Sequence, residues 1–229
     1  MSSVERTDTF PAISAKTAPM IAFIGSIITL VFLAALHIAS PEFDPSWRVV
    51  SEYALGRFPW LLSAMFLCWA VSSWALAAAL RPLARTRIAI SGLVLLLLSG
   101  AGEALAAFFD VSWPTMHGVA AMIGIPTLPI AALLISYGLD RAPGPAPGRR
   151  AMRLTAHLTW ISFLVMGAAM AVFFSTYTSA GGDPNAGPPN SLPDGTIALN
   201  GWANRLLIVS YCAWLAASAR RIMKLPVPA

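Results

Sequence analysis

The chain has 229 residues, 57% of them hydrophobic and only 11% charged, with a formal net charge of +5 at neutral pH. A mean hydropathy of +0.70 and apolar runs long enough to cross roughly 30 Å of hydrocarbon exclude an ordinary soluble domain and predict an all-α, polytopic membrane protein. With two cysteines, both inside apolar runs, a disulfide scaffold is excluded and the reading is of small buried hydrophobes.

Six spans are predicted, at about 18–39, 58–80, 88–109, 115–139, 154–178 and 199–219. Each is close to the length of about 20 residues that a spanning helix needs, and hydrocarbon leaves helices or closed barrels as the choices. A barrel would need short alternating strands, and these runs do not alternate. Residues 1–17 read as a mostly polar tail; the apolar core behind them is too long for a signal peptide, so the first span is expected to stay as an anchor. That span carries Ser26, Thr29, His37 and Ser40 near one face. It is followed by a connection that holds the string Ser51 Glu52 Tyr53 Ala54 Leu55 Gly56 Arg57. Ser51 lacks a Gly-x-Ser-x-Gly elbow and reads as the cap of a short turn before Gly56 and Pro59.

The third span places Gly92, Ser99, Glu103 and Asp110 on a single face, and the fourth begins near His117 and is interrupted by Pro126 and Pro129. A kink there would free backbone groups to line a cavity, or would equally be a static bend. His157 lies at the other end of the fifth span and reads as interfacial, while the segments 142–148 and 181–195, rich in Pro and Gly, read as extended connections or a flap. Asn200, Asn204 and Tyr211 share a face of the sixth span with Arg205 beside them, and 221–229 is a tail. Trp47, Trp60, Trp113 and Trp202 fall near predicted span ends, where indoles anchor helices at the water boundary.

Ten of the fifteen basic residues fall in the second connection, the fourth connection and the C-terminal tail, led by Arg81, Arg85, Arg87, Arg141, Arg149, Arg150, Arg153, Arg220, Arg221 and Lys224. By the positive-inside rule both termini are expected to be cytoplasmic and the first, third and fifth connections outside. The acidic Glu42, Asp44, Glu52, Asp110, Asp183 and Asp194 fall on the opposite side. The charge thus reflects topology and contact with anionic membrane lipids, not nucleic acid, and nothing indicates a protein partner or homo-oligomer.

Ionisable groups inside spans are costly, so their positions are the natural pointers to function. Glu103 lies about two turns, roughly 9 Å, below the outer end of its span, and Arg205 at a similar depth. An ion pair between them is expected, lining or fixing a polar pocket that includes Asn204 and Ser51. His37, Glu52, Asp110 and His117 are the candidates for acid/base catalysis. His37, His117 and Asp110 are those for metal ligation, because imidazole titrates near neutrality and binds zinc. With no CxxC, HExxH or Gly-rich phosphate loop, no motif requires a cofactor.

The run His37 Ile38 Ala39 Ser40 Pro41, continued by Val50 Ser51 Glu52 Tyr53 Ala54 Leu55 Gly56, then Phe109 Asp110 and His117 Gly118 Val119 Ala120 Ala121, resembles the prokaryotic membrane family called domain of unknown function 998. Asn204 Arg205 resembles a family position where a polar residue precedes Arg. The resemblance implies a fold over nearly all six spans and directs attention to the outer-face residues, without an activity. Chemically, Ser51, Asp110, His37 and His117 are similar to the zinc-holding set of the membrane hydrolases that include alkaline ceramidases. Those have seven spans and a His-x-x-x-His pair that this chain lacks.

The leading expectation is therefore a multi-pass protein of a prokaryotic cell membrane whose outward-facing pocket, among spans one, three, four and six, binds a lipid head group, ion or small solute for transport, sensing or membrane homeostasis. A lipid-modifying hydrolase or transferase, metal-dependent or not, is the enzymatic alternative. A structural or partner-binding membrane subunit is the third. No sequence repeat relates the two halves, which disfavours a transporter built from inverted repeats.

Overall fold

The computed structural model describes residues 16–140, 148–184, 186–187 and 189–225. The tail 1–15, Arg141 and most of the fourth connection, Asn185 and Pro188 of the fifth, and residues 226–229 lie outside the described residues. Six long α-helices make up the fold: α1 Thr17–Ala39, α2 Pro59–Leu80, α3 Arg87–Phe108, α4 Pro114–Asp140, α5 Arg149–Ser179 and α6 Asn200–Met223. The shortest have 22 residues, about 33 Å at 1.5 Å per residue, so all six are long and apolar enough to cross a bilayer. The chain is a multi-pass membrane protein. A 3-10 helix at Val50–Leu55 occupies the α1–α2 connection, so the short turn expected there is present, but Ser51 does not cap it: Ser51 lies inside the helix, and Val49 is the N-cap, with no side-chain cap bond.

The six expected spans match the helices with small shifts at their ends, the largest at α5, which starts at Arg149 because basic residues continue the helix beyond the apolar run. Local chemistry sets several ends. Pro59 and Pro114 stand at first helical positions, where a missing N–H is harmless, and the Thr86 side chain accepts from Ala89 N at 3.1 Å to cap α3.

Consecutive helices pack as neighbours and α6 returns against α1, which closes a ring; α6 also touches α2 and α4 across it. Half of the apolar window of α6 is buried against 17% of that of α5, so α6 is the inner helix and α5 the peripheral one. The tightest pair is α3 on α4. Gly102 makes that approach possible, since a Cβ there would collide with the Gly124 backbone and the Ala120 carbonyl.

The interior is unusual for its hydroxyls. Ser26, Thr29, Ser72, Ser73, Ser99, Ser136, Thr159, Ser162 and Ser218 are buried, whereas Ile28, Val31, Val94, Leu97, Met122, Ile130 and Leu164 are exposed. Small residues inside and large apolar ones outside is the arrangement that lipid favours, because apolar tails give helices no hydrophobic reason to hide their leucines. Ser72 Oγ shows the use of the small residues: it donates to the Ala22 carbonyl of α1 at 2.7 Å.

Residues 40–58, 109–113 and 180–199 connect helices at one end of the ring, called the upper end below. Trp60, Trp113 and Trp202 are more than half exposed there, as anchoring indoles would be.

Candidate functional site

Below the upper end, α2, α3, α4, α6 and the Val50–Ser51 step enclose a cavity of about 80 Å³, room for a few waters or a small polar group. Spans three, four and six line it as expected, but its fourth wall is α2, through Phe66 and Trp69, and not α1. The polar stripe of α1 is spent elsewhere: Ser26 Oγ and Thr29 Oγ1 donate to the Phe23 and Gly25 carbonyls of their own helix.

Glu103 stands in the wall of this cavity and is 5% exposed. Its Oε2 accepts from Ser73 Oγ of α2 at 2.8 Å and its Oε1 from Ser99 Oγ, one turn back on α3, at 3.1 Å. The Ser99 hydroxyl also lies 3.1 Å from the Gly124 carbonyl and so divides one proton between two acceptors. Opposite, Trp69 and Tyr211 meet edge to face with centroids 6.0 Å apart, and Phe66 stacks on Trp69. The indole Nε1 of Trp69 is buried without a hydrogen-bond partner. The cavity therefore holds a carboxylate satisfied only by hydroxyls, an orphaned donor and aromatic faces.

Neither proline of α4 lines this cavity, though Ile125 between Gly124 and Pro126 does, and the helix continues through both prolines. Pro129 has no N–H to return to the carbonyl of Ile125, and the Tyr211 hydroxyl of α6 donates to that carbonyl instead, at 2.7 Å. Thr127 Oγ1 covers the Ile123 carbonyl at 2.5 Å. The expected opening of backbone groups is thus real, and a neighbouring helix takes it up.

The expected Glu103–Arg205 ion pair does not form. Arg205, also 5% exposed, turns to α1 and to the segment above it. Its Nε donates to His37 Nε2 at 2.6 Å, its Nη1 to the carbonyls of Arg48 at 2.6 Å and Gly201 at 3.0 Å, and its Nη2 to the Tyr53 hydroxyl at 3.1 Å. The reason is helical geometry: Asn204 lines the cavity, and the next residue is rotated by about 100° and faces the adjacent groove. Sequence depth placed the two charges at one level without fixing their faces.

This arrangement also assigns His37. With Arg205 Nε as donor, Nε2 must accept, and Nδ1 donates to the Leu33 carbonyl at 2.6 Å, so both ring nitrogens are taken. Asp110 Oδ1 accepts from the backbone N–H of Ser112 at 2.8 Å and from its hydroxyl, a local turn before α4. Among the described residues no group of three His, Cys, Asp or Glu could hold a metal ion. The proposed meeting of His37, Asp110 and His117 is therefore not made, because each is tied to its own surroundings.

His117 and Ser51 do line the cavity, together with Asn204. His117 Nδ1 donates to the Phe109 carbonyl at 2.9 Å, which fixes the tautomer and leaves Nε2 with its lone pair. Asn204 Oδ1 accepts from Val50 N at 2.8 Å and holds the 3-10 helix over the cavity mouth. Glu52 points away from the cavity and pairs with Arg48, Nη1 to Oε2 at 3.2 Å. Burial pushes its carboxyl above the ordinary 4.5, against the lowering pull of Arg48 and Arg205. His157 lies between Tyr137 and Trp160 on the α4–α5 face near the other end, apart from the upper-end residues as expected.

Ser73, Trp69 and Tyr53 are the residues the sequence did not mark. Ser73 was legible only as half of the Ser72 Ser73 pair inside an apolar run, and Trp69 and Tyr53 looked like ordinary aromatics.

The chain belongs to the family described as Protein of unknown function (DUF998), whose model matches residues 23–221 and so reaches into all six helices. Neither a curated protein nor a solved structure matches it.

Proposed function

We propose that this DUF998 protein is a binding protein of the cell membrane whose central cavity takes up a small cation, an inorganic ion or an ammonium group, from the outer side. One observation carries the reading: Glu103 is buried in a cavity wall with two serine hydroxyls and, among the described residues, no salt bridge to a cationic side chain. A carboxylate in hydrocarbon costs several kcal/mol unless it is paired or protonated. The aromatic residues Trp69, Phe66 and Tyr211 in the wall favour a desolvated cation over an anion, since a ring face is electrically negative. A whole lipid head with its phosphate exceeds the space. The distribution of basic residues supports an upper end that faces out of the cell.

The test uses Trp69 as reporter. Purified protein in nanodiscs is titrated with sodium, potassium, ammonium and methylammonium chloride at constant ionic strength while tryptophan fluorescence is followed. At least one cation should give a saturable change that Trp69→Phe removes, and Glu103→Gln should weaken it roughly 30-fold, for a loss of about 2 kcal/mol. Equal responses of the parent and the Glu103→Gln variant to every cation would sink the reading.

The hydrolase or transferase alternative keeps one observation in its favour, a His117 Nε2 with no hydrogen bond among the described residues in a cavity that Ser51 also lines. It predicts turnover of a short-chain lipid ester that Ser51→Ala and His117→Gln abolish alike.

A further inference from the structure

A second pocket, of about 260 Å³, lies on the far side of the 3-10 helix, between the last turns of α5 and the start of α6. Trp47, Phe173, Phe174 and Tyr177 line it, with Glu52 and Asn200. Phe173 and Tyr177 stack in parallel at 5.7 Å, and Phe174 stands edge-on to Phe173 at 5.6 Å.

Two of its polar atoms are acceptors with no hydrogen-bond donor among the described residues. Asn200 is 3% exposed, and while its Nδ2 donates to the Trp47 carbonyl at 2.6 Å, its Oδ1 is buried without a partner. Glu52 gives Oε2 to Arg48 and, among the described residues, leaves Oε1 without a hydrogen bond. Two acceptors in want of donors, set among aromatic residues, call for a cation that carries N–H groups. The same surroundings already accept such a group: the Arg48 guanidinium lies 4.2 Å from the Trp47 ring centroid while it binds Glu52.

Below this pocket an apolar groove of about 590 Å³ runs between α5 and α6, lined by Val165, Ala168, Val172, Leu199, Trp202 and Leu206. Val172 and Leu199, in the groove, are the chain neighbours of Phe173 and Asn200, in the pocket, so groove and pocket lie one residue apart on both helices. A head that donates hydrogen bonds above and an apolar tail below describe one molecule.

We propose that this surface binds an amine-headed membrane lipid. Its primary ammonium donates to Glu52 Oε1 and Asn200 Oδ1 within the ring of Trp47, Phe173, Phe174 and Tyr177, and one acyl chain lies in the α5–α6 groove. The site is separate from the Glu103 cavity and does not depend on that reading.

The test is native mass spectrometry of the purified full chain titrated with short-chain phosphatidylethanolamine, the matching phosphatidylcholine, and free ethanolamine. The ethanolamine lipid should bind at least tenfold more tightly than the choline lipid, which has no N–H to give. Glu52→Gln should abolish that preference. Ala168→Phe, which fills the groove from an exposed position, should weaken both lipids and leave the preference intact. Should Glu52→Gln fail to give folded protein, Phe174→Leu at a half-exposed position should reduce binding of the ethanolamine lipid at least threefold. Equal binding of the two lipids by the parent chain, or an unchanged preference in Glu52→Gln, would overturn the proposal. Free ethanolamine binding as tightly as its lipid would overturn the part that assigns the groove.

Discussion

Replacing Arg205 by leucine removes the donor that joins α6, α1 and the 3-10 segment. Four acceptors lose a partner: His37 Nε2, the Arg48 carbonyl, the Gly201 carbonyl and the Tyr53 hydroxyl. Gly201 keeps its helical bond from the Arg205 N–H, and the Tyr53 hydroxyl is free to rotate and donate elsewhere. His37 Nε2 and the Arg48 carbonyl are left as buried acceptors, each at about 1–3 kcal/mol. Against this stands the desolvation of a guanidinium that has no carboxylate on it, which leucine relieves. The net cost should be about 3 kcal/mol, a fall in apparent melting temperature of roughly 6–12 °C for a chain of this size. Tryptophan fluorescence during heating in a fixed detergent measures it. The decisive comparison is the double variant His37→Leu with Arg205→Leu: each single change strands the other residue's polar atom, so the pair should cost at least about 1 kcal/mol less than the sum. A loss below about 1 kcal/mol for Arg205→Leu, or strict additivity, would refute the account of Arg205 as the clamp.

Gly102→Ala should destabilise by about 2 kcal/mol or more, because its Cβ collides with the backbone of Gly124, whereas Gly118→Ala, with open space around it, should be neutral or slightly stabilising; thermal unfolding of the two side by side checks this. The acidic residues of the upper end should give opposite pH slopes. Burial raises the Glu52 carboxyl above 4.5, so the folded protein binds the extra proton, and stability relative to Glu52→Gln should fall as pH rises through the interval above 4.5. The Ser46 N–H and then its hydroxyl lower Asp44 below 3.8. Its contribution should be present above 3.8 and lost as pH drops below, with Asp44→Asn as the reference. Reversed slopes in denaturation measured from pH 3 to about 7 would contradict these assignments.

Much of the fold was legible because hydrocarbon makes it so. Six apolar runs of spanning length dictate six helices, since lipid offers backbone groups no other partner. The residues around His37, Glu52, Asp110 and His117 were enough to suggest the family that the match over residues 23–221 shows. Glu103 stood out for the same reason, as the one acidic residue set well inside a run. Pro129 announced a carbonyl that some other group would have to satisfy, though not that Tyr211 would do so.

What remained hidden was the direction in which each side chain faces. Position along a span gives depth, and depth alone made Glu103 and Arg205 a pair. A step of one residue turns a side chain by about 100°, so the helix ring sent Asn204 into the cavity and Arg205 toward His37. His37, Asp110 and His117 share an end of the bundle for which the sequence is sufficient evidence, yet their partners are Arg205, Ser112 and the Phe109 carbonyl. The choice of α2 rather than α1 as the fourth wall, and with it Ser73 and Trp69, depends on which helices touch across the ring. Apolar length is a property of one segment and is written in it. A site is a property of several faces brought together, and only packing decides which faces meet.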